Sequence, residues 1–114
     1  MKKVVFLNAL PLNAINASHF TIFVDKVNAD ILKKWINIFK KCKFDFKCYI
    51  RHKSTVELLN KEFELMLEPS SDAYCYEEND RLIIVTLKSP QRGREVEVKD
   101  INDLDFYYAT INMW

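Results

Sequence analysis

A chain of 114 residues is long enough for one domain with a substantial core, and a formal net charge of only +1 argues against a general duplex-DNA-binding protein. Hydrophobic residues make up 49% of the chain and charged residues 29%, which is typical of a globular and not of a disordered protein. The single glycine, Gly93, excludes glycine-rich phosphate loops and dinucleotide fingerprints. Any phosphate site must therefore use helix ends and side chains.

The three cysteines and two histidines show no short-spaced metal-binding pattern, so the sequence predicts neither a metal ion nor a cofactor. An odd number of cysteines favours free thiols in a reducing compartment. The apolar run that follows Lys3 is interrupted at Asn8, too early for a signal peptide, and no stretch approaches membrane-spanning length. We therefore expect a cytoplasmic protein with no membrane partner.

The first half of the chain predicts two strands, a helix and a short extended segment. Residues 4–7 form a continuous apolar run, typical of a central strand that is buried on both faces, and Pro11 indicates a loop soon after it. Residues 20–25 alternate as a strand does, and residues 30–41 have the apolar spacing of a helix with lysines on its other side. Residues 44–50 alternate again.

The next stretch, Ile50-Arg51-His52-Lys53-Ser54-Thr55, leads into an amphipathic segment. Ser54 and Glu57 have the spacing of a capping box, which predicts a helix that begins at about Thr55 and ends near Glu68, because Pro69 follows. The start of a helix presents unpaired N–H groups and a partial positive charge, and both suit a phosphate. His52, a residue type that commonly serves in proton transfer, stands just upstream of them. On these residues alone, an ordinary helix cap with a solvated histidine remains the alternative.

The second half predicts further strands. Residues 73–77 and 82–87 are two strands joined by a turn at 78–80, and the second is apolar enough to be central. A loop at 88–94 leads to a half-exposed strand at 96–98, a helical turn within 99–104 and a last strand at 106–111. The sequence therefore predicts one α+β domain over residues 1–114, with a mixed sheet of about five strands flanked by helices.

Four features occur together in this chain: Leu7-Asn8-Ala9 with Asn13, Ile50-x-His52-x-Ser54-Thr55, the central strand after the Asn79-Asp80 turn, and the loop that contains Gln91-Arg92 and Gly93-Arg94. This combination resembles the viral ring nucleases, the type III anti-CRISPR proteins of archaeal viruses and phages. It implies a homodimer that binds one cyclic oligoadenylate, most often cyclic tetra-adenylate, across its two-fold axis. It also implies metal-independent phosphodiester cleavage in the cytoplasm of an infected host.

The resemblance implies roles for individual residues. His52 matches the family's catalytic histidine, and Arg92 its phosphate-contacting arginine. The remaining ligand-binding matches lie in the first loop and at the helix start: Asn8, Asn13, Ser54 and Thr55.

Two departures from the family pattern concern Arg51 and Glu95. Arg51 stands where the family has glycine, and it either adds phosphate affinity or fills space that the ring needs. The family's glutamate between its arginine and its glycine is missing, because Gly93 follows Arg92 directly, so Glu95 is the candidate to replace it as a second catalytic residue.

Two other functional classes remain open from the sequence. The chain with these departures would bind and sequester a cyclic oligonucleotide without cutting it, or it would use the same scaffold to block a CRISPR effector subunit directly. Incubation with cyclic oligoadenylates separates these possibilities from turnover.

Overall fold

A five-stranded mixed sheet organises the part of the chain that the computed structural model describes, residues 2–88 and 100–113. The strands are β1 (Lys3–Leu7), β2 (Phe20–Val27), β3 (Asp45–Cys48), β4 (Arg81–Leu87) and β5 (Leu104–Met113), in the spatial order β2-β5-β4-β1-β3. β3 and β4 run parallel to β1 on either side of it, whereas β5 is antiparallel to both β4 and β2. The predicted α+β class and the mixed sheet of about five strands are confirmed.

The two apolar runs of the sequence form two of the three interior strands, β1 and β4. Val4, Val5 and Phe6 in β1 are fully buried, and the four residues after Arg81 in β4 are buried as well. Both faces of these strands are covered, by the helices on one side and by a second apolar cluster on the other, so alternation with polar residues is not required. The prediction of two central strands is confirmed.

Both helices pack on one face of the sheet. α1 (Ala29–Lys41) contributes Leu32 and Ile36, and α2 (Lys53–Phe63) contributes Leu59 and Phe63, to a core shared with alternate residues of β1 and β4. The opposite face carries a smaller cluster, built from Val5, Leu7, Leu82, Ile84 and Ala109 with tyrosines packed against it. The sheet is therefore covered by helices on one side and by aromatic side chains on the other.

The bounds of α2 differ from the prediction at both ends. The helix begins at Lys53, because the backbone of His52 is extended and its carbonyl accepts the first helical hydrogen bond, from Val56 N at 3.2 Å. His52, and not Ser54, is thus the N-cap residue. The helix ends at Phe63, five residues before the predicted stop, because Glu64 adopts a left-handed conformation with φ 53°.

The strand predicted at residues 73–77 is wrong, because this stretch has no ladder partner and is irregular. Its alternation reflects the inward packing of tyrosines, and Tyr76 N donates to the carbonyl of Ala14 at 3.0 Å. The turn at 78–80 is confirmed, with Asn79 at φ 73°, and so is the helical turn, at Ile101–Asp103. The strand predicted at residues 96–98 lies outside the described residues.

Candidate functional site

The three parallel strands end at the same edge of the sheet. β1 ends at Leu7 and β3 at Cys48, with Phe6 in register with Cys48 and with Ile83 of β4. Asn8 follows β1 directly, and the segment that carries His52 follows β3. In open sheets with parallel strands, ligands bind outside the carboxyl ends of the strands. The fold therefore brings the first-loop asparagines and the histidine segment to the edge where a ligand site is expected.

His52 lies at the N-terminus of α2. Its backbone angles are φ −74° and ψ 109°, and its side chain makes no capping hydrogen bond to the helix. The imidazole is exposed, as are the side chains of Arg51 and Lys53 on either side of it. This places a titratable group between two cations at the positive end of a helix dipole. Such a group can both approach a phosphate and donate a proton to it.

The other helix-start residues have different surroundings. Thr55 is buried, with 8% of its surface exposed, so any contact it makes with a ligand would involve its backbone. Ser54 is the second residue of α2 and is half-buried. Glu57 lies with its carboxylate 3.9 Å from Lys53 Nζ, an exposed pair one helical turn apart. The N–H of Val56 is already used by His52, so it is not available to a phosphate.

Asn8 and Asn13 line one open depression of about 580 Å³. Its other described lining residues are Leu7, Leu10, Pro11, Leu12, Ala14, Tyr49, Asp72, Ala73 and Tyr74. The two asparagines are exposed, and Tyr49 and Tyr74 are half-buried beside them. The structure thus brings the two predicted asparagines together, as a shared role requires.

The predicted site residues divide into three groups. Asn8 and Asn13 share the depression, whereas Arg51 and His52 are not among its described lining residues and lie at the start of α2. Arg92 and Glu95 lie outside the described residues. β4 ends at Leu87, and Lys88 after it is exposed.

A buried carboxylate holds one wall of the depression in place. Asp80 is 3% exposed and accepts hydrogen bonds from Tyr74 Oη at 2.5 Å and from Glu77 N at 3.1 Å. Burial and the hydrogen bond to Asp80 raise the pKa of the Tyr74 hydroxyl far above its ordinary value, so Tyr74 stays neutral. Lys3 Nζ lies 3.7 Å from Asp80 and 3.1 Å from Glu77.

The charge of Lys3 balances this carboxylate. Burial by itself lowers the pKa of Lys3, but the hydrogen bond to Glu77 and the negative charge of Asp80 outweigh it, and the net pKa is raised. Lys3 therefore remains charged, and the buried carboxylate of Asp80 is both paired and hydrogen-bonded.

Both the sequence and the fold of this chain match known proteins. The STIV B116-like family model matches residues 4–109. The chain belongs to the STIV B116-like family. A solved structure of this type, B116 of Sulfolobus turreted icosahedral virus, superposes with a TM-score of 0.70 and 21% sequence identity, over 94% of this chain and 97% of that one. At that identity the likeness shows the fold alone. No curated protein sequence matches.

The described part of the B116-like chain contains neither a membrane-spanning helix nor a cluster of metal-binding side chains. Within residues 2–88 and 100–113, no helix is both long and apolar enough to cross a membrane. Over the same ranges, no group of three or more histidine, cysteine, aspartate or glutamate side chains is arranged to hold a metal ion.

Sequence reasoning missed the aromatic and acidic lining of the depression. Tyr49 lies within the alternating segment 44–50. Tyr74 lies in the stretch 73–77, where the alternation predicts a strand. A signal was present, since Tyr49 immediately precedes the Ile50-x-His52 motif. The meeting of Tyr74 with Asp80 has no sequence signature, because it depends on the path of an irregular loop.

Proposed function

We propose that this B116-like protein is a metal-independent ring nuclease that opens cyclic oligoadenylate, with the tetra-adenylate ring as its substrate, and thereby suppresses type III CRISPR signalling for a virus. The observation that carries the proposal is the position of His52. It is the N-cap residue of α2, and α2 begins at the sheet edge where Asn8 follows β1. The two motif segments therefore lie at the same edge, as a shared site requires. The motif resemblance supplies the identity of the ligand.

The chemistry follows from the ligand and from His52. In the proposed reaction, the ribose 2′-oxygen attacks the neighbouring phosphorus, the bond from phosphorus to the 5′-oxygen breaks, and the ring opens. The 2′-hydroxyl proton passes to a carboxylate, for which we propose Glu95, and the His52 imidazolium donates a proton to the departing 5′-oxygen. The products carry a 2′,3′-cyclic phosphate and a 5′-hydroxyl.

The phosphate would be held by cations and by helix N–H groups. Arg51 and Lys53 are exposed beside His52, and the first turn of α2 directs its N–H groups toward the same side. Arg92 is proposed as a further phosphate contact that stabilises the transition-state charge. A homodimer would present two such sites to one symmetric ring.

Product analysis with a chelator present tests the reaction type. Incubation of the wild-type chain with cyclic tetra-adenylate and cyclic hexa-adenylate should give linear products with 2′,3′-cyclic phosphate ends, identified by chromatography and mass spectrometry. A tetra-adenylate ring with 2′-deoxyribose should bind but stay intact, because it lacks the nucleophile. Cleavage of the deoxy ring would contradict the mechanism.

The same experiment separates the other classes. Tight binding of an uncut ribose ring would make the protein a sequestering protein, for which the exposed Arg51 beside His52 would supply affinity. Absence of both binding and turnover would exclude a cyclic oligoadenylate ligand and leave direct contact with a CRISPR effector subunit.

A further inference from the structure

The chain that follows α2 runs back along the helix to the histidine segment. Near the end of α2, the side chain of Asn60 pairs with both backbone groups of Leu67, at 2.8 Å each. Three residues further on, the N–H of Ser70 donates to the carbonyl of Ile50 at 3.0 Å. This return segment, from Leu67 to Ser70, therefore contacts both α2 and the residue two positions before His52.

Ile50 is anchored through its backbone as well as through its side chain. The side chain is fully buried and belongs to the core that the two helices share with the sheet. Its N–H donates to Cys48 Sγ at 3.5 Å, and its carbonyl is the acceptor for Ser70. Because Cys48 is the last residue of β3, these two contacts join Ile50 to the sheet on one side and to the return segment on the other.

These contacts hold the backbone from which the His52 side chain projects. The imidazole is exposed and makes no capping hydrogen bond to α2, so its reach depends on the backbone on either side of it. On the helix side, Val56 N donates to the carbonyl of His52 at 3.2 Å, and on the other side only Arg51 separates His52 from Ile50. A proton donor must lie within about 2.6–3.2 Å of its acceptor, and a misplacement of about 1 Å can lower a rate by about 100-fold.

We infer that Ser70 and Cys48 are positioning residues for His52, and that both act through the backbone of Ile50. Ser70 contributes its N–H and Cys48 its thiol, and neither is assigned a contact with the ring or with the reacting phosphate. The inference deepens the proposed function and rests on it, because proton donation by His52 is the step that the two contacts support.

Matched variants isolate the two contacts. Ser70→Pro removes the N–H that donates to Ile50, whereas Ser70→Ala keeps it and removes only the hydroxyl, which accepts from Asp72 N at 3.2 Å. Cys48→Ala removes the acceptor for the N–H of Ile50, whereas Cys48→Ser keeps an acceptor there. Ser71→Pro places a proline at the neighbouring exposed residue and leaves the N–H of Ser70 in place.

Single-turnover cleavage of cyclic tetra-adenylate measures the effect on the chemical step. Ser70→Pro and Cys48→Ala should each lower the rate by about 10- to 100-fold. The affinity for the ring, measured in the His52→Ala background so that the ring stays intact, should change little. The controls Ser70→Ala, Cys48→Ser and Ser71→Pro should cleave at the wild-type rate.

A double-mutant cycle distinguishes the positioning of His52 from a general loss of structure. In the His52→Ala background, Ser70→Pro should lower the residual rate no further, because the group that it positions is already absent. A general loss of structure would lower the rate equally in both backgrounds. If Ser70→Pro does not fold, Cys48→Ala takes its place in the cycle.

The outcomes also separate this inference from the proposed function. Wild-type rates for Ser70→Pro and Cys48→Ala, an equal loss in Ser71→Pro, or equal losses in both His52 backgrounds would overturn the inference and leave the proposed function standing. If the wild-type chain opened no ring, the proposed function would fail, and hydrogen exchange at the Val56 amide would decide the anchoring by itself. Faster exchange in Ser70→Pro than in Ser71→Pro would support the anchoring, and equal exchange would overturn it.

Discussion

The backbone position of His52 makes it suitable for a chemical role. As the N-cap of α2 it lies at the positive end of a helix dipole, with exposed cations before and after it. An imidazole that merely capped the helix would direct a nitrogen at the backbone, and this one makes no such hydrogen bond. Its side chain is therefore not committed to holding the helix, and a role toward a ligand is compatible with the fold.

Cys48 provides a prediction about thiol reactivity at the same scale. Burial raises the pKa of the Cys48 thiol, whereas Cys42 and Cys75 are exposed. The thiolate is the nucleophile, so Cys48 should react with iodoacetamide at mildly alkaline pH more slowly than the other two cysteines. Peptide mass spectrometry over a time course measures the three rates, and fastest labelling at Cys48 would contradict its placement.

Asp80 provides a prediction about stability. Asp80→Ala should lower the free energy of unfolding by about 2–4 kcal/mol, because it leaves Tyr74 Oη without its acceptor and the charge of Lys3 without its buried partner. Tyr74→Phe removes only the hydroxyl and should cost about 1 kcal/mol. Urea denaturation of both variants checks the difference. A loss below about 0.5 kcal/mol for Asp80→Ala would mean that this network does not support the fold.

At the scale of the elements, side chains and not helix propensity fix the end of α2. Lys40 of α1 donates to the carbonyls of Phe63 at 2.7 Å and Glu64 at 2.9 Å, which satisfies acceptors that a helix end leaves unpaired. Asn60 pairs with both backbone groups of Leu67, at 2.8 Å each, so the chain folds back on the helix that it has just left.

The Asn60 contact gives a prediction for this element. Asn60→Ala should lower the free energy of unfolding by about 1–3 kcal/mol, because it removes two hydrogen bonds and leaves partly buried backbone groups of Leu67 unpaired. Asn37→Ala is the control, since Asn37 is exposed within α1 and alanine has the higher helix propensity. Equal effects of the two substitutions in urea denaturation would show that the Leu67 pairing contributes nothing.

The sequence predicts those elements whose stability is local or periodic. β1 and β4 follow from continuous apolar runs, and α1 follows from its apolar spacing, whereas its N-cap, Asn28, comes from the structure. The capping box at Ser54 misplaced the start of α2, because the extended backbone of His52 already begins the hydrogen-bonded ladder. The alternation in residues 73–77 predicts a strand that the structure does not contain, because packing against a core and pairing in a sheet produce the same alternation.

The site was predictable to the same extent. His52 is recognisable because it precedes an amphipathic helix, whereas Asn8 and Asn13 are candidates only through the resemblance to the viral ring nucleases. Tyr74 lines the depression from a loop that its hydrogen bond to Asp80 holds in place. This contact between two side chains leaves no periodic pattern in the sequence. The sequence therefore identified the edge of the sheet but not the walls of the depression.

At the scale of the whole molecule, the sheet topology concentrates the candidate groups. The parallel strands β1 and β3 place the first loop and the histidine segment at one edge of the sheet. The opposite ends of β1 and β4 carry Lys3 and Arg81, and the stabilising carboxylate of Asp80 precedes the latter directly. The Asp80 network therefore begins at the amino ends of β1 and β4, and Tyr74 connects it to the depression that Asn8 lines at the carboxyl edge.

The assembly state gives a prediction for the molecule. The proposal of one symmetric ring per two sites requires a homodimer, so sedimentation should give twice the 13.5 kDa mass of the chain. Cyclic tetra-adenylate should bind with a stoichiometry of one ring per two chains, measured by calorimetry. A monomer that binds one ring per chain would contradict the two-fold arrangement.

The central claim is that His52 donates the proton that opens a cyclic oligoadenylate. Single-turnover cleavage of cyclic tetra-adenylate with a chelator present, compared between wild type, His52→Ala and the control His19→Ala, tests it most directly. We predict that His52→Ala lowers the rate by about 10²–10⁴-fold while the affinity for the ring changes little, and that His19→Ala cleaves at the wild-type rate. An intact ring with the wild-type chain, or equal rates for wild type and His52→Ala, would contradict the account.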